Sequence, residues 1–126
     1  MDQKGHSRFD TVLGVLLLTS MIMALYMAFL QAPREQKMGD LQRIFYFHVP
    51  AGMTALTALA VNFVASLMYL IKKDRKWDGL ALSAAEIGLM FLTIVLVTGS
   101  FWAKPEWLVW WTWSARLTFS LVLCLL

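Results

Sequence analysis

Long apolar stretches alternate with short polar segments along the chain, and this alternation predicts membrane-spanning helices. Residues 11–30, 51–71 and 80–101 are each about twenty residues long, and together they contain a single charged side chain. That length crosses a hydrocarbon core of about 30 Å at about 1.5 Å per residue. A fourth apolar stretch, residues 115–126, covers about half a crossing. We therefore expect an all-α, polytopic membrane helix bundle with three complete spans and a truncated fourth, in one domain over residues 1–126.

The overall composition supports this assignment. Of the 126 residues, 60% are hydrophobic and 15% are charged, and the mean hydropathy is +0.65. A soluble domain of this length would be far more polar. A cleaved signal peptide is the alternative for the first stretch, but the stretch is longer than a typical signal core and no clear cleavage site follows it. Because the fourth stretch has no closing polar segment, we expect the chain to be a fragment of a longer protein.

Charge and cysteine content narrow the possible functions. The net charge is +3, and basic loops in membrane proteins are orientation signals, so no nucleic-acid partner is predicted. The single cysteine, Cys124, excludes an internal disulfide and a C-x-x-C site for covalent haem attachment. We found no carboxylate pair, Ser/His/Asp arrangement, phosphate loop or zinc-ligand spacing. The sequence therefore indicates a binding protein and not an enzyme.

The distribution of lysine and arginine predicts the orientation. Three crossings place the N-terminus and the 72–79 turn on one side, with six basic residues: Lys4, Arg8, Lys72, Lys73, Arg75 and Lys76. The opposite side carries five: Arg34, Lys37, Arg43, Lys104 and Arg116. The short 72–79 turn concentrates four of its charges near two helix ends, which favours a cytoplasmic N-terminus. Residues 31–50 and the segment after the third span would then face outward together.

Polar side chains within the second and third spans suggest helix packing. Thr54, Ala58, Asn62 and Ser66 recur every four residues, as expected for a face that packs on another helix. Glu86 lies inside the third span, where an ionisable group is a candidate for function. The alternative is that Glu86 is protonated, or pairs with Asn62 or a lysine, and only holds helices together.

The segment from Trp102 to Arg116 contains five of the six tryptophans. Tryptophan prefers the membrane interface, because its ring is apolar and its N–H needs a polar partner. Pro105 can begin a short interfacial helix, which would place Trp107, Trp110, Trp111 and Ser114 on one face. The simpler alternatives are an anchoring belt or a packed lid.

A histidine and two arginines are predicted at the same surface as these tryptophans. His48 precedes the second span, after a connecting segment that we expect to end at Pro50, the first position of a helix. A flat aromatic platform beside an imidazole and arginines suits haem, a planar metal macrocycle with acidic tails. We therefore predict that His48 is an axial ligand of haem iron. The predicted haem-binding residues are His48, Trp107, Trp110, Trp111, Trp113 and Arg116. Arg43 and Arg116 lie near the same boundary and could pair with carboxylates. His48 could instead be satisfied at lipid headgroups, and Arg116 could instead extend to lipid phosphates.

Three motifs resemble a known family. Residues 107–118, W-L-V-W-W-T-W-S-A-R-L-T, are similar to the "WWD" signature W-G-x-W-W-x-W-D-x-R-L-T of the haem-handling proteins of cytochrome c maturation. Residues 97–105, V-T-G-S-F-W-A-K-P, resemble the V-T-G-S-x-W-G-K-P of that family. Residues 43–51, R-I-F-Y-F-H-V-P-A, resemble its R-I-x-Y-x-H-V-P-A. The similarity covers residues 40–120 and is greatest to the cytochrome c maturation protein C branch.

The resemblance implies a specific function. Members of the family hold b-type haem transiently and non-covalently at the outer face of the bacterial inner membrane. They pass it to a periplasmic haem chaperone and work with an ATP-driven transporter pair. The tryptophan loop cradles the macrocycle, and two outer-face histidines ligate the iron. His48 matches the first histidine, and the second lies in a later loop of a six-span bundle. The predicted orientation puts His6 on the opposite side of the membrane.

Two residues depart from the signature, and two other functions remain open. Leu108 replaces a glycine, which should restrict the backbone and crowd the platform. Ser114 replaces the aspartate, and a hydrogen bond from its hydroxyl is one way in which it would still assist Arg116. A fragment of a larger WWD-type haem lyase is one alternative function. A membrane anchor or assembly subunit that binds no haem is the other.

Overall fold

A computed structural model describes the backbone of residues 3–126 and the side chains from residue 8 onward. The helices are α1 (Gln3–Tyr26), which continues as a π-helix (Met27–Gln31), α2 (Gln42–Lys72), α3 (Arg75–Trp107) and α4 (Ala115–Leu125). Within this described part there is no β-strand beyond an isolated bridge between Glu35 and Gly39. The side chain of His6 lies outside the described part. The prediction of the membrane side on which His6 lies therefore falls outside it as well.

Three helices are long and apolar enough to cross a membrane. They cover Arg8–Gln31, Gln42–Lys72 and Arg75–Trp107, and the fourth helix is a shorter apolar one. These helices confirm the predicted all-α fold with three complete spans and a partial fourth. Both longer helices extend beyond their predicted limits, which changes the role of two prolines.

Pro50 and Pro105 lie inside helices and do not begin them. α2 begins at Gln42, so the expected start at Pro50 is wrong. α3 continues through Pro105 to Trp107, so the expected interfacial helix does not form. Each proline removes only one backbone hydrogen bond, which helices in membrane proteins tolerate. At Pro105 the lost bond is the one to the carbonyl of Phe101, one turn earlier in α3.

The chain divides into two compact units, residues 1–43 and 44–126. In the first unit, the Glu35 carboxylate accepts hydrogen bonds from two backbone N–H groups at 2.7 and 2.6 Å. The Asp40 carboxylate pairs with Arg34 at 3.1 Å and with Arg43 at 3.6 Å. Arg43, a candidate for pairing with haem carboxylates, therefore has a protein carboxylate as its partner.

In the second unit, α2 and α3 form an antiparallel pair. Lys73 turns the chain with a positive φ of 54°. The Asp74 side chain caps α3 by accepting a hydrogen bond of 3.0 Å from the backbone N–H of Lys76. α4 runs back along α3, and its Cys124 sulfur lies 3.7 Å from the hydroxyl of Thr93.

Small residues let α2 and α3 approach closely. The buried residues of α2 are Ala51, Ala55, Ala58 and Ala65. On α3, a Cβ added to Gly88 would lie 3.5 Å from the Cβ of Ala58. The Asn62 amide donates a hydrogen bond of 3.0 Å to the carbonyl of Ala81. This packing is typical of helices in membranes.

The observed contact face corrects the predicted stripe. Of the four residues at strict four-residue spacing, Ala58 is buried and Asn62 bonds to α3, whereas the Thr54 hydroxyl bonds to the Pro50 carbonyl of its own helix at 2.8 Å. The buried alanines are spaced by four, three and seven residues, as expected for a helix with 3.6 residues per turn, so a strict step of four rotates away from the interface.

Glu86 is exposed on α3. The Asn62 amide nitrogen bonds to the Ala81 carbonyl, and its oxygen accepts from the Ser66 hydroxyl. Among the described residues no hydrogen bond joins Asn62 to Glu86, so the predicted pairing does not form. Glu86 also forms no ion pair with any residue in the described part of the chain.

Candidate functional site

His48 lies where the first turns of α2 meet the last third of α3. Its Nδ1 is 2.9 Å from the hydroxyl oxygen of Thr98. Gly99 lies beside the ring, and a Cβ added there would be 3.3 Å from His48 Cε1. A histidine and a threonine fifty positions apart in sequence therefore share a hydrogen bond at one end of the helix pair.

Large aromatic side chains surround the histidine. The Phe45 ring meets Trp102 edge to face at 5.6 Å between centroids, and Trp102 meets Trp107 in the same way at 5.2 Å. Phe45 also approaches the His48 ring at 6.5 Å. Edge-to-face pairs at these separations are favourable because the positive edge of one ring meets the negative face of the other.

A cleft of about 330 Å³ opens between α2, α3, the segment after α3 and α4. It is bounded by apolar side chains, with His48 and Arg116 as its two ionisable groups. Residues 8–126 contain no group of three histidine, cysteine or acidic side chains able to hold a metal ion. Within this cleft, His48 is thus the side chain suited to ligating a metal.

Five of the six predicted haem-binding residues line this cleft: His48, Trp107, Trp110, Trp111 and Arg116. The sixth, Trp113, is 77% exposed and lines an adjoining open groove beside Phe101 and Leu121. Its ring meets that of Trp111 at 6.0 Å.

The tryptophans were expected to share one helical face, and they do not. α3 ends at Trp107, and Leu108 follows in the left-handed conformation with φ 62° and ψ 5°. The Lys104 ammonium donates a hydrogen bond of 3.1 Å to the Leu108 carbonyl and lies 5.8 Å from the centre of the Trp110 ring. The left-handed residue and the lysine end the helix, so the loop itself positions Trp110 and Trp111.

The two departures from the signature have defined structural roles. The side chain of Leu108 is 78% exposed, so the expected crowding of the platform does not occur. Its cost lies in the left-handed backbone, which glycine adopts freely. Ser114 is the N-cap residue of α4 and makes no side-chain capping hydrogen bond. The expected hydrogen bond to Arg116 is also absent, and Arg116 pairs with no carboxylate of the described residues.

Two buried hydrogen-bond donors have no acceptor. The indole Nε1 atoms of Trp102 and Trp111 are inaccessible to solvent and unpaired, and both residues line the cleft. Buried donors without a partner are uncommon, and each calls for an explanation. Arg116, which also lines the cleft, is a cationic donor suited to an anionic, oxygen-rich ligand.

The residues predicted from sequence to form the site did not include Phe45, Thr98, Gly99 or Trp102. Phe45, Gly99 and Trp102 line the cleft, and the Thr98 hydroxyl forms a hydrogen bond with His48. The available signal was their position in the two motifs around His48 and at residues 97–105. What the sequence did not reveal was that α3 extends past residue 101, which brings Trp102 against Phe45.

Comparison with known proteins gives consistent results. The model of the family described as Heme exporter protein C matches residues 4–126. The chain is 45% identical over 96 residues to the Heme exporter protein C of Escherichia coli K12, covering 75% of this chain and 39% of that protein. It is 36% identical over 106 residues to the Heme exporter protein C of Rhodobacter capsulatus, covering 84% of this chain and 44% of that protein.

A mitochondrial relative is similar to the same degree. The chain is 39% identical over 101 residues to a ccmC-like cytochrome c biosynthesis protein of Marchantia polymorpha, covering 80% of this chain and 44% of that protein. The chain thus spans less than half the length of these curated relatives. On the family match and these identities, the chain belongs to the heme exporter protein C family.

Proposed function

We propose that this chain binds haem non-covalently in the cleft beside His48 and hands it on during c-type cytochrome biogenesis. It acts in transport and delivery and carries out no chemistry on the haem. The observation that supports this proposal most strongly is the clustering of an imidazole suited to ligating iron, several tryptophans and an arginine in one cleft. Membership of the heme exporter protein C family supports the same ligand.

Each group in the cleft meets a different part of the haem. The faces of Trp107, Trp110 and Trp111 pack against the flat macrocycle, and the His48 Nε2 ligates the iron. Trp113 covers the outer edge from the adjoining groove. The Arg116 guanidinium binds a propionate carboxylate by charge-assisted hydrogen bonds.

The cellular setting follows from the family and from the charge distribution. We propose a multi-pass location in the bacterial inner membrane, with the N-terminus cytoplasmic and the tryptophan loop periplasmic. A periplasmic haem chaperone then receives the haem, and an ATP-driven transporter pair supports its release. A membrane-impermeant thiol reagent applied to intact cells tests this orientation on the Trp113→Cys, Cys124→Ser double variant. Labelling from the periplasmic side is expected, and labelling only after the cells are opened would contradict it.

Haem titration of the purified chain tests the binding proposal. In mild detergent, the wild-type chain should develop a Soret band that saturates with added haem. His48→Ala should weaken binding about tenfold to hundredfold, because the aromatic and carboxylate contacts remain while the iron ligand is lost.

His6→Ala is the matched control, since His6 is the other histidine of the chain. It should leave the titration unchanged. A wild-type chain that binds haem no better than His48→Ala would contradict the proposed function. That result would favour a membrane anchor whose tryptophans serve only at the interface.

A further inference from the structure

The hydroxyl of Thr98 makes two short contacts at once. Its oxygen lies 2.9 Å from His48 Nδ1 and 2.7 Å from the backbone carbonyl oxygen of Ile94, one turn earlier on α3. A second carbonyl, that of Val95, is farther away at 3.4 Å. A hydroxyl carries one hydrogen, so it donates to only one of these groups.

The position of that hydrogen follows from the acceptors. The Ile94 carbonyl has no hydrogen to give, so its 2.7 Å contact is favourable only if Thr98 donates to it. The Thr98 oxygen then offers a lone pair to His48, and Nδ1 must carry the proton. A proton on Nδ1 of a neutral imidazole leaves Nε2 as the nitrogen with a free lone pair.

The other side of the ring agrees with this arrangement. Among the described residues, none forms a hydrogen bond with His48 Nε2. Gly99 lets the ring lie close to α3, since an added Cβ would be only 3.3 Å from Cε1. The ring is therefore held at one edge by Thr98 and against the helix by Gly99, with the ring bordering the cleft.

We propose that Thr98 is a positioning residue that fixes His48 in the tautomer protonated at Nδ1 and so presents Nε2 to the haem iron. This inference rests on the proposed function, because it assigns Nε2 the role of iron ligand. Partners that orient a ligating histidine typically change metal affinity by about tenfold to hundredfold when they are removed. Thr98 acts through His48 and touches no part of the haem.

The tautomer can be measured directly in the haem-free chain. We would record ¹⁵N-histidine spectra in detergent, in a His6→Ala background so that His48 gives the only imidazole signals. The pH should lie about two units above the ordinary histidine pKa of about 6.5. The Nδ1-protonated tautomer should dominate with Thr98 present. In Thr98→Val, which keeps the shape and removes the hydroxyl, the Nε2-protonated form should become the major one.

Two further variants separate this role from a general effect on folding. Thr98→Ser retains the hydroxyl and should restore the tautomer. Thr93→Val is the matched control, because the Thr93 hydroxyl also bonds a carbonyl one turn earlier, Leu89 at 2.8 Å, and lies away from His48. It should leave the spectrum unchanged. Haem affinity should fall about tenfold to hundredfold in Thr98→Val and not in the other two variants.

The outcomes distinguish this inference from the function on which it rests. A His48 that is mainly protonated at Nε2 in the presence of Thr98, or a tautomer unchanged in Thr98→Val, overturns the role of Thr98. If haem binding still depends on His48 in that case, the proposed function stands. If the chain with Thr93 and Thr98 unchanged binds no haem, the proposed function fails. The ¹⁵N spectra still decide whether Thr98 sets the tautomer.

Discussion

The two ends of the α2–α3 pair are built differently. From the middle of the pair to the 72–75 turn, small residues such as Ala58, Ala65 and Gly88 bring the helices together, and the Asn62 amide bonds to the Ala81 carbonyl. We call this the closed end. At the open end, beside His48, large aromatic side chains border a cleft, and the Trp102 and Trp111 donors have no acceptor.

The contrast indicates where the molecule gives up packing for binding. Small residues maximise contact between helices in a membrane, so the closed end serves stability. At the open end, α2, α3, the segment after α3 and α4 leave a cavity and two unpaired donors, both of which cost free energy in the empty protein. Such costs are retained in a protein where a bound ligand offsets them. The following predictions test this division between the two ends.

The largest effect on stability is expected from overpacking the closed end. Gly88→Leu would push a large side chain against Ala58 and Leu59, which an added Cβ already meets at 3.5 Å. We expect a loss of about 1–3 kcal/mol in the free energy of unfolding, measured by denaturation in detergent. Gly79→Leu is the control, because no atom lies within 4 Å of a Cβ added there. Equal losses in both variants would show that the closed end has no special role in stability.

A change at the open end should act in the opposite direction on the empty protein. Trp102→Phe removes a buried donor that has no acceptor while keeping an aromatic ring. The empty chain should gain about 1 kcal/mol of stability because this donor is removed. Haem affinity should fall about fivefold because the smaller ring packs less well against Trp107, which it meets at 5.2 Å. Denaturation and haem titration measure the two effects on the same preparation.

Trp77→Phe controls for the loss of an indole outside the cleft. Trp77 lies at the start of α3, where the Lys72 ammonium is 5.4 Å from the centre of its ring. This variant should leave haem affinity unchanged. A Trp102→Phe chain that is less stable and binds haem normally would assign Trp102 to packing alone.

The smallest effect is expected at the end of α3. Leu108→Gly relieves a left-handed backbone at a side chain that contacts little of the protein. The left-handed penalty of about 1–2 kcal/mol is partly offset by the greater freedom of glycine in the unfolded chain, so a net gain of about 0.5 kcal/mol is expected. A decrease in stability would mean that the exposed leucine makes a contact that the fold needs.

The fold was predictable because hydrophobic length alone identifies membrane-spanning helices. The helix limits were not, because Pro50 and Pro105 are strong boundary signals in sequence and yet lie inside α2 and α3. Proline disfavours a helix locally, but one lost hydrogen bond is outweighed by the helical residues on both sides. The contact face between α2 and α3 was predicted in part. Ala58 and Asn62 do lie on it, but they were chosen by a strict four-residue spacing, which drifts around the helix.

The candidate site was predictable in its residue types and not in its geometry. An aromatic loop next to a histidine after successive crossings pointed to Trp110, Trp111 and His48 from sequence alone. The hydrogen bond between Thr98 and His48, and the unpaired Trp102 donor, depend on how the two helices align along their axes. Hydrophobic patterns specify which face of a helix is buried but leave that alignment undetermined.

The central claim is that the imidazole of His48 ligates haem iron in the cleft, and imidazole rescue tests it most directly. His48→Gly leaves space for a free imidazole beside Gly99, so added imidazole should restore the Soret and visible bands of the wild-type haem complex. The same addition to wild type should change little. If His48→Gly binds haem with an unaltered spectrum, or if imidazole restores nothing although haem is bound, His48 is not the ligand and the account is contradicted.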